Sequence, residues 1–296
     1  MTKIFITGSN GFVGLHLISE LTKRNIPFVA GNRTLYGDLV TQNNWENLLF
    51  SCSSVVHLAA RVHIMNEESS DPLAQFRLSN VKATLSIAHA AKKAGVKRFI
   101  FISSVKVNGE ETFDCPFSAS DIPAPQDPYG ISKMEAEIEL LKLHEAGIFE
   151  VVIIRPPLIY GLGVKANFEK LFHFVRRGLP IPFGLVKNKR SLVSVLNLVD
   201  LVITTLTHPR AGGEIFMVSD DRDLSLSELI KLMAKVQGKI AHLLPVPVGF
   251  MKFGAKILGK KSYAGRLFGN LQVDIEKTKG VLDWKPPFTF EETFKD

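Results

Sequence analysis

Tyr129 and Lys133 stand four residues apart in the segment YGISK, a spacing that puts two side chains on one face of a helix. A phenol with a pKa of ~10 is a poor acid or base near neutrality, and a neighbouring ammonium lowers that value by favouring the phenolate. The pair is therefore a candidate proton-transfer group. Ser104, just past the apolar run RFIFIS (98–103), can hold the same substrate oxygen. A tyrosine and lysine at this spacing usually mean nothing. This pair follows a glycine-rich turn, an HLAA segment and an ISS segment, in that order.

The turn is Gly8-Ser9-Asn10-Gly11-Phe12-Val13-Gly14, directly after the apolar run KIFIT (3–7). Glycine lets the backbone turn tightly and approach a pyrophosphate, whose charge a following helix N-terminus stabilises. The spacing GxxGxxG differs from GxGxxG, and its place between a first strand and a first helix is what gives it meaning. Gly8, Gly11, Phe12, Val13 and Gly14 are thus expected to hold a nicotinamide dinucleotide. After the second strand the chain reads Gly31-Asn32-Arg33, with no carboxylate for a ribose 2′-OH. Arg33 points to a 2′-phosphate and hence to NADP, with NAD the alternative if Arg33 is only a solvent-facing loop residue. Asn32, Asp38 and Leu39 are expected near the adenosine. Leu58, Ala59 and Ala60 offer small or apolar surface to the cofactor, as does Pro156, and Lys133 can hydrogen-bond the nicotinamide ribose.

The elements that must position these groups alternate. KIFIT (3–7), PFVA (27–30), SVVHLA (54–59), RFIFIS (98–103) and VVIIR (151–155) read as strands buried on both faces. Helical patterns lie between them: GFVGLHLISELTKR, TQNNWENLLF, the stretch from Asp71 to Ala94 opened by Asp71-Pro72, and YGISKMEAEIELLKLHEAG. This alternation predicts an α/β fold with a doubly wound parallel Rossmann sheet. After Tyr160 it weakens, and a smaller C-terminal substrate lobe is expected. The boundaries are 1–163 for the dinucleotide-binding domain, with 190–219 returning to it, and 164–296 for the lobe. The closing FEETFKD resembles a helix start and suggests a shortened C-terminus.

Composition narrows the classes. Apolar residues make up 46% and charged residues 22% of the 296, an ordinary globular balance. No apolar run reaches the ~18–20 residues of a membrane span. Cys52 and Cys115 form neither CxxC nor a Cys/His cluster, so reduced thiols, a cytoplasmic setting and no bound metal are expected. The formal charge of +7 comes without a nucleic-acid motif, which favours an anionic small molecule over nucleic acid as partner.

GSNGFVG, VVHLAA, FISSVKVNGE, YGISK and RPPLIYG, in this order, resemble the extended short-chain dehydrogenase/reductase family of nucleotide-sugar epimerases, dehydratases and reductases. The similarity covers nearly the whole chain, including LQVDIEKTKGVLDWKPP. It implies catalytic roles for Tyr129, Lys133 and Ser104, a nucleotide-diphosphate sugar substrate and a homodimer. Dehydratases of this family carry Asp-Glu where this chain has Val105 and Lys106, two positions expected to line the substrate; Val105 has no proton to give and Lys106 is a poor carboxylate replacement, so 4,6-dehydration is excluded. Asn108 replaces a family tyrosine and is expected to be structural. Leu158 replaces a family asparagine near the diphosphate, a role Asn167 can take over. Arg190 and Arg266 sit where the family contacts phosphate, and arginine suits it by bidentate hydrogen bonding.

SSVKVNGE with RPPLIYG and VKANF is most similar to enzymes of bacterial surface-polysaccharide synthesis acting on UDP-hexosamines. These comprise 4-keto reductases and 4-epimerases of UDP-glucose or UDP-N-acetylglucosamine, which use the same residues. Arg33 favours the reductase, because an exchanging NADPH suits net reduction; the 4-epimerase is the alternative. A silent NADP-binding regulator would commonly lack the tyrosine or lysine, both present here. A hydroxysteroid or flavonoid reductase would need a greasier lobe.

Overall fold

The strand runs are apolar throughout because the sheet they build is covered on both sides. The computed structural model describes residues 3–42, 44–62, 71–165, 167–257, 259 and 261–295. Its strands in chain order are β1 (Lys3–Thr7), β2 (Phe28–Ala30), β3 (Cys52–His57), β4 (Arg98–Ile102), β5 (Glu150–Arg155), β6 (Leu158–Tyr160), β7 (Arg190–Ser194), β8 (Ile215–Met217) and β9 (Asp223–Leu224). The helices are α1 (Phe12–Lys23), α2 (Arg33–Tyr36), α3 (Trp45–Leu49), α4 (Pro72–Phe76), α5 (Ala83–Lys93), α6 (Pro128–Leu143), α7 (Asn167–Arg176), α8 (Val195–Thr207), α9 (Leu226–Val236), α10 (Val248–Ile257), α11 (Lys261–Phe268) and α12 (Glu276–Leu282).

The main sheet has six strands in the order β2-β1-β3-β4-β5-β8, every neighbouring pair parallel. It is the expected doubly wound Rossmann arrangement, with the strand order reversing between β1 and β3. Alternation along each strand sorts side chains into two cores. Ile4, Ile6, Val56, Ile100, Ile102, Val152 and Ile154 pack with α1 and α8 on one face. Phe5, Val55, Phe99, Phe101, Val151 and Ile153 pack with α3, α5 and α6 on the other.

The stretch from Asp71 to Ala94 is one helical rod with an irregularity. Asp71 caps it, accepting from Ala74 N at 3.0 Å, and a π-helical segment, Arg77–Lys82, interrupts it between α4 and α5. Beyond β5 the chain divides its allegiance. α8 and β8 belong to the main sheet and its core, whereas β7 lies between β6 and β9 in a second, three-stranded sheet. That sheet supports a lobe core of Tyr160, Phe168, Ile181, Leu229, Ile230, Met233 and Phe290. A small seam cluster of Val105, Met217, Leu271, Val273 and Ile275 joins the two cores.

Candidate active site

The turn after β1 comes against the end of β3. Gly8 has φ of +68°, and a Cβ on it would stand 2.9 Å from Ala59 N, so only glycine permits this approach. Thr7 Oγ1 accepts from Ala59 N at 3.2 Å and shares a 2.8 Å hydrogen bond with His57 Nδ1. His57 Nε2 lies 2.9 Å from Thr84 Oγ1 on α5. Burial, reinforced by the Lys133 charge, pushes the His57 pKa down to about 3, so this imidazole is a neutral strut under the site.

α1 starts immediately after Gly11, with no side chain capping its amides and no acid in its first turn. That leaves an N-terminus suited to an anion, and the glycine turn with these amides fits a dinucleotide pyrophosphate. Phe12 and Val13 are half-buried and Gly14 is buried. The expected adenosine contacts are partly committed elsewhere. Asn32 caps α2, its side chain accepting from Thr34 N and Leu35 N. Asp38 accepts from Val40 N at 2.7 Å, and Leu39 packs against the core. Arg33 is exposed, and its charge reaches the buried Tyr36 phenol, which accepts from Gly8 N at 3.4 Å. Tyr36 thus reaches the phosphate turn, a link no sequence signal suggested.

The proton-transfer group is assembled where β4 and α6 meet. Asp127 caps α6 through Gly130 N at 2.7 Å, and Pro128 occupies the first helical position, where its missing N–H costs nothing. A Cβ on Gly130 would lie 2.8 Å from Lys106 O. Its absence lets the start of α6 press against the 3-10 turn Val105–Val107, and so brings Tyr129 to Ser104. Ser104 Oγ accepts from Lys106 N at 3.2 Å, and its hydroxyl beside the Tyr129 phenol favours the phenolate. Phe76 meets the Tyr129 ring edge-on at 6.0 Å.

Lys133, one turn deeper, donates to Ile102 O at 2.8 Å, with its ammonium 4.3 Å from the centre of the Phe101 ring. Burial brings its pKa down to about 7, against a smaller upward pull from Glu137. The expectation that this ammonium lowers the Tyr129 pKa is not what the geometry produces. Burial first, and the Asp127 carboxylate second, hold that phenol above its ordinary range, and the Ser104 hydrogen bond opposes them.

Val105 is 4% exposed in the seam cluster, so it offers apolar packing only. Lys106 is ion-paired with Glu110 at 2.8 Å and with Asp127. Pro156 is buried, and its carbonyl accepts from Val105 N at 3.0 Å. Leu58, Ala59 and Ala60 are half-buried at the end of β3. Asn108 is structural, as expected: it accepts from Arg155 Nη1 at 3.0 Å and donates to Ser118 O at 2.9 Å. Asn167 is exposed at the start of α7. Arg190 opens β7, donating to Gly269 O at 3.3 Å; burial lowers its pKa while Glu110 and Glu111 raise it. Arg266 lies on α11, its side chain outside the described residues. Two further polar groups were missed. Asn80, in the π-helical segment, accepts from Arg61 N and donates to Arg61 O and to Ser132 Oγ, all within 3.0 Å. Asp127 both caps α6 and engages Lys106.

Comparison with known proteins places this geometry. A model of the NAD dependent epimerase/dehydratase family matches residues 4–219. A UDP-glucose 4-epimerase of Vibrio cholerae is 45% identical over 99% of this chain and 93% of its own length. An N-acetyl-alpha-D-glucosaminyl-diphospho-ditrans,octacis-undecaprenol 4-epimerase of Escherichia coli O157:H7 is 29% identical over 87% of this chain and 81% of its own. Among solved structures, MoeE5 in complex with UDP-glucuronic acid and NAD superposes with a TM-score of 0.77 at 23% identity, covering 99% of this chain and 96% of that one.

Proposed function

The chain belongs to the NAD-dependent epimerase/dehydratase family, enzymes of nucleotide-sugar chemistry, and from that premise we propose that it interconverts the C4 epimers of a UDP-linked hexose or N-acetylhexosamine. The observation that carries this reading is the 45% identity to a UDP-glucose 4-epimerase along 99% of the chain. The reductase expected from Arg33 becomes the second reading, supported by that arginine and by a GDP-6-deoxy-D-mannose reductase 27% identical over 79% of the chain.

A bound nicotinamide dinucleotide supplies the hydride exchange at C4 and, when oxidised, a positive charge that favours the phenolate. The residues of the chain manage the proton and the sugar. Tyr129 takes the O4 proton as C4 becomes a ketone and returns it when C4 is an alcohol again. Ser104, whose hydroxyl stands beside that phenol and favours its ionised form, holds the same oxygen. The ketone turns over in the lobe before the proton is returned, which inverts C4. Lys133 fixes α6 to β4 through Ile102 O and orients the nicotinamide ribose. Arg190, with Arg266, Asn167 and Lys106, borders the diphosphate and sugar. Arg33 is the residue to read an adenosine 2′-phosphate; that contact, which would select NADP over NAD, belongs to the reductase reading.

The test follows UDP-glucose and UDP-N-acetylglucosamine by NMR with the purified protein. Interconversion of gluco and galacto sugars without net cofactor turnover is expected. NADPH consumption with a 4-keto sugar and no epimerisation would establish the reductase instead. Tyr129→Phe is expected to retain cofactor and lose at least ~100-fold in turnover, the lower range for general acid–base catalysis. Near-normal turnover in that variant refutes the mechanism.

A further inference from the structure

α10 is unlike the other long helices: none of its residues is buried, yet its sequence is VGFMKFGAKI. Val248 and Met251 rest against the lobe core. On the opposite side Phe250, Phe253 and Ile257 are 74%, 65% and 70% exposed, spaced three and four apart and therefore in one stripe. Lys252 and Lys256, both exposed, run along one flank of it. Just before the helix, Ile240 and Leu244 are 80% and 47% exposed. Single exposed apolar residues are common, but an ordered stripe of two phenylalanines and an isoleucine is not.

The surrounding charge identifies what covers it. From Lys239 to Val273 the chain holds Lys239, Lys252, Lys256, Lys260, Lys261 and Arg266 and no aspartate or glutamate, in a protein with 29 acidic residues. A water-facing helix usually balances its lysines with acids one turn away, and α10 has none. A two-fold contact with a second copy would set these lysines against one another. Aromatic and aliphatic side chains beside unbalanced lysines match the layered chemistry of an anionic bilayer surface, apolar below and phosphate above. Among the described residues no helix is long and apolar enough to cross a membrane, so the contact is interfacial.

We propose that the outer face of α10 seats in the headgroup layer of an anionic lipid bilayer, making the C-terminal lobe the membrane-facing end of the enzyme. Phe250, Phe253 and Ile257 enter the acyl boundary while Lys252 and Lys256 meet lipid phosphates. The reaction is not involved, so the proposal stands or falls separately from the epimerase reading.

The test is co-sedimentation of the full chain with vesicles of phosphatidylcholine and of phosphatidylcholine mixed with phosphatidylglycerol. The protein is expected to pellet with the mixed vesicles and stay in solution with phosphatidylcholine alone. Phe250→Ser combined with Phe253→Ser is expected to lower the bound-to-free ratio at least ~10-fold, the scale of removing two inserted rings. Lys252→Glu with Lys256→Glu is expected to lower it by a similar factor. Circular dichroism and light scattering verify fold and oligomeric mass in each variant. Wild-type protein left in solution with the mixed vesicles overturns the proposal, as does equal pelleting of wild type and the phenylalanine variant. A fall in oligomeric mass in the phenylalanine variant overturns it too, by making the face a contact between copies.

Discussion

Lys133 carries the clearest thermodynamic signature of the site. Its pKa of about 7 lies well below the ordinary 10.5 because the ammonium is buried. Between those two values the unfolded chain binds a proton that the folded chain does not, so stability rises with pH through that window. Below about 7 both states are protonated and the burial cost is present in full. Lys133→Met removes the titration. Urea unfolding of the variant is expected to be flatter between pH 7 and 10 than that of the wild type, and parallel pH profiles would contradict the buried ammonium. Arg33 makes a second residue-scale prediction. Arg33→Ala is expected to weaken NADP binding at least ~10-fold, the scale of a charge-assisted phosphate contact, and to leave NAD binding nearly unchanged. Titration of both dinucleotides by calorimetry checks it, and an equal loss for both would remove Arg33 from 2′-phosphate recognition.

At the scale of elements, α6 is the piece whose placement matters most, and a buried ion pair fastens it. Arg155 on β5 donates through Nε and Nη2 to the Glu137 carboxylate, at 3.0 and 2.5 Å, with both side chains at most 3% exposed. Glu137→Gln strands the guanidinium charge and is expected to cost ~3–5 kcal/mol of stability, read from urea denaturation. A loss below ~1 kcal/mol would mean that the pair is replaceable. The strands of this frame were legible because each is apolar on both faces, a pattern independent of partners. Tyr129, Lys133 and Ser104 were legible for a related reason: two share one helix face and the third closes a strand. The π-helical segment was not, since one extra residue in a turn leaves the i, i+4 pattern of Asp71–Ala94 outwardly intact. β6 was hidden in RPPLIYG, where two prolines argue against a strand. Tyr36, Asn80 and the Lys106–Asp127 pair act across 28, 52 and 21 residues of chain, distances over which no local pattern extends.

Over the whole molecule, the Gly8 turn, Leu58–Ala60, Ser104 and Pro156 follow successive strands of one parallel sheet, at its carboxyl edge. The last residues of the chain tie back to this frame: Trp284 Nε1 donates to Asp200 Oδ2 on α8 at 2.9 Å, and Thr293 Oγ1 lies 2.7 Å from Ser194 Oγ. The outermost strands of the main sheet have a further consequence. β2 and β8 are three residues long each, whereas β1, β3, β4 and β5 have five or six. A long, straight outer strand exposes a row of unpaired amides and carbonyls on which another chain can polymerise. Here the most aggregation-prone sequences, the isoleucine- and valine-rich interior strands, are screened by neighbours too short to template a growing fibre.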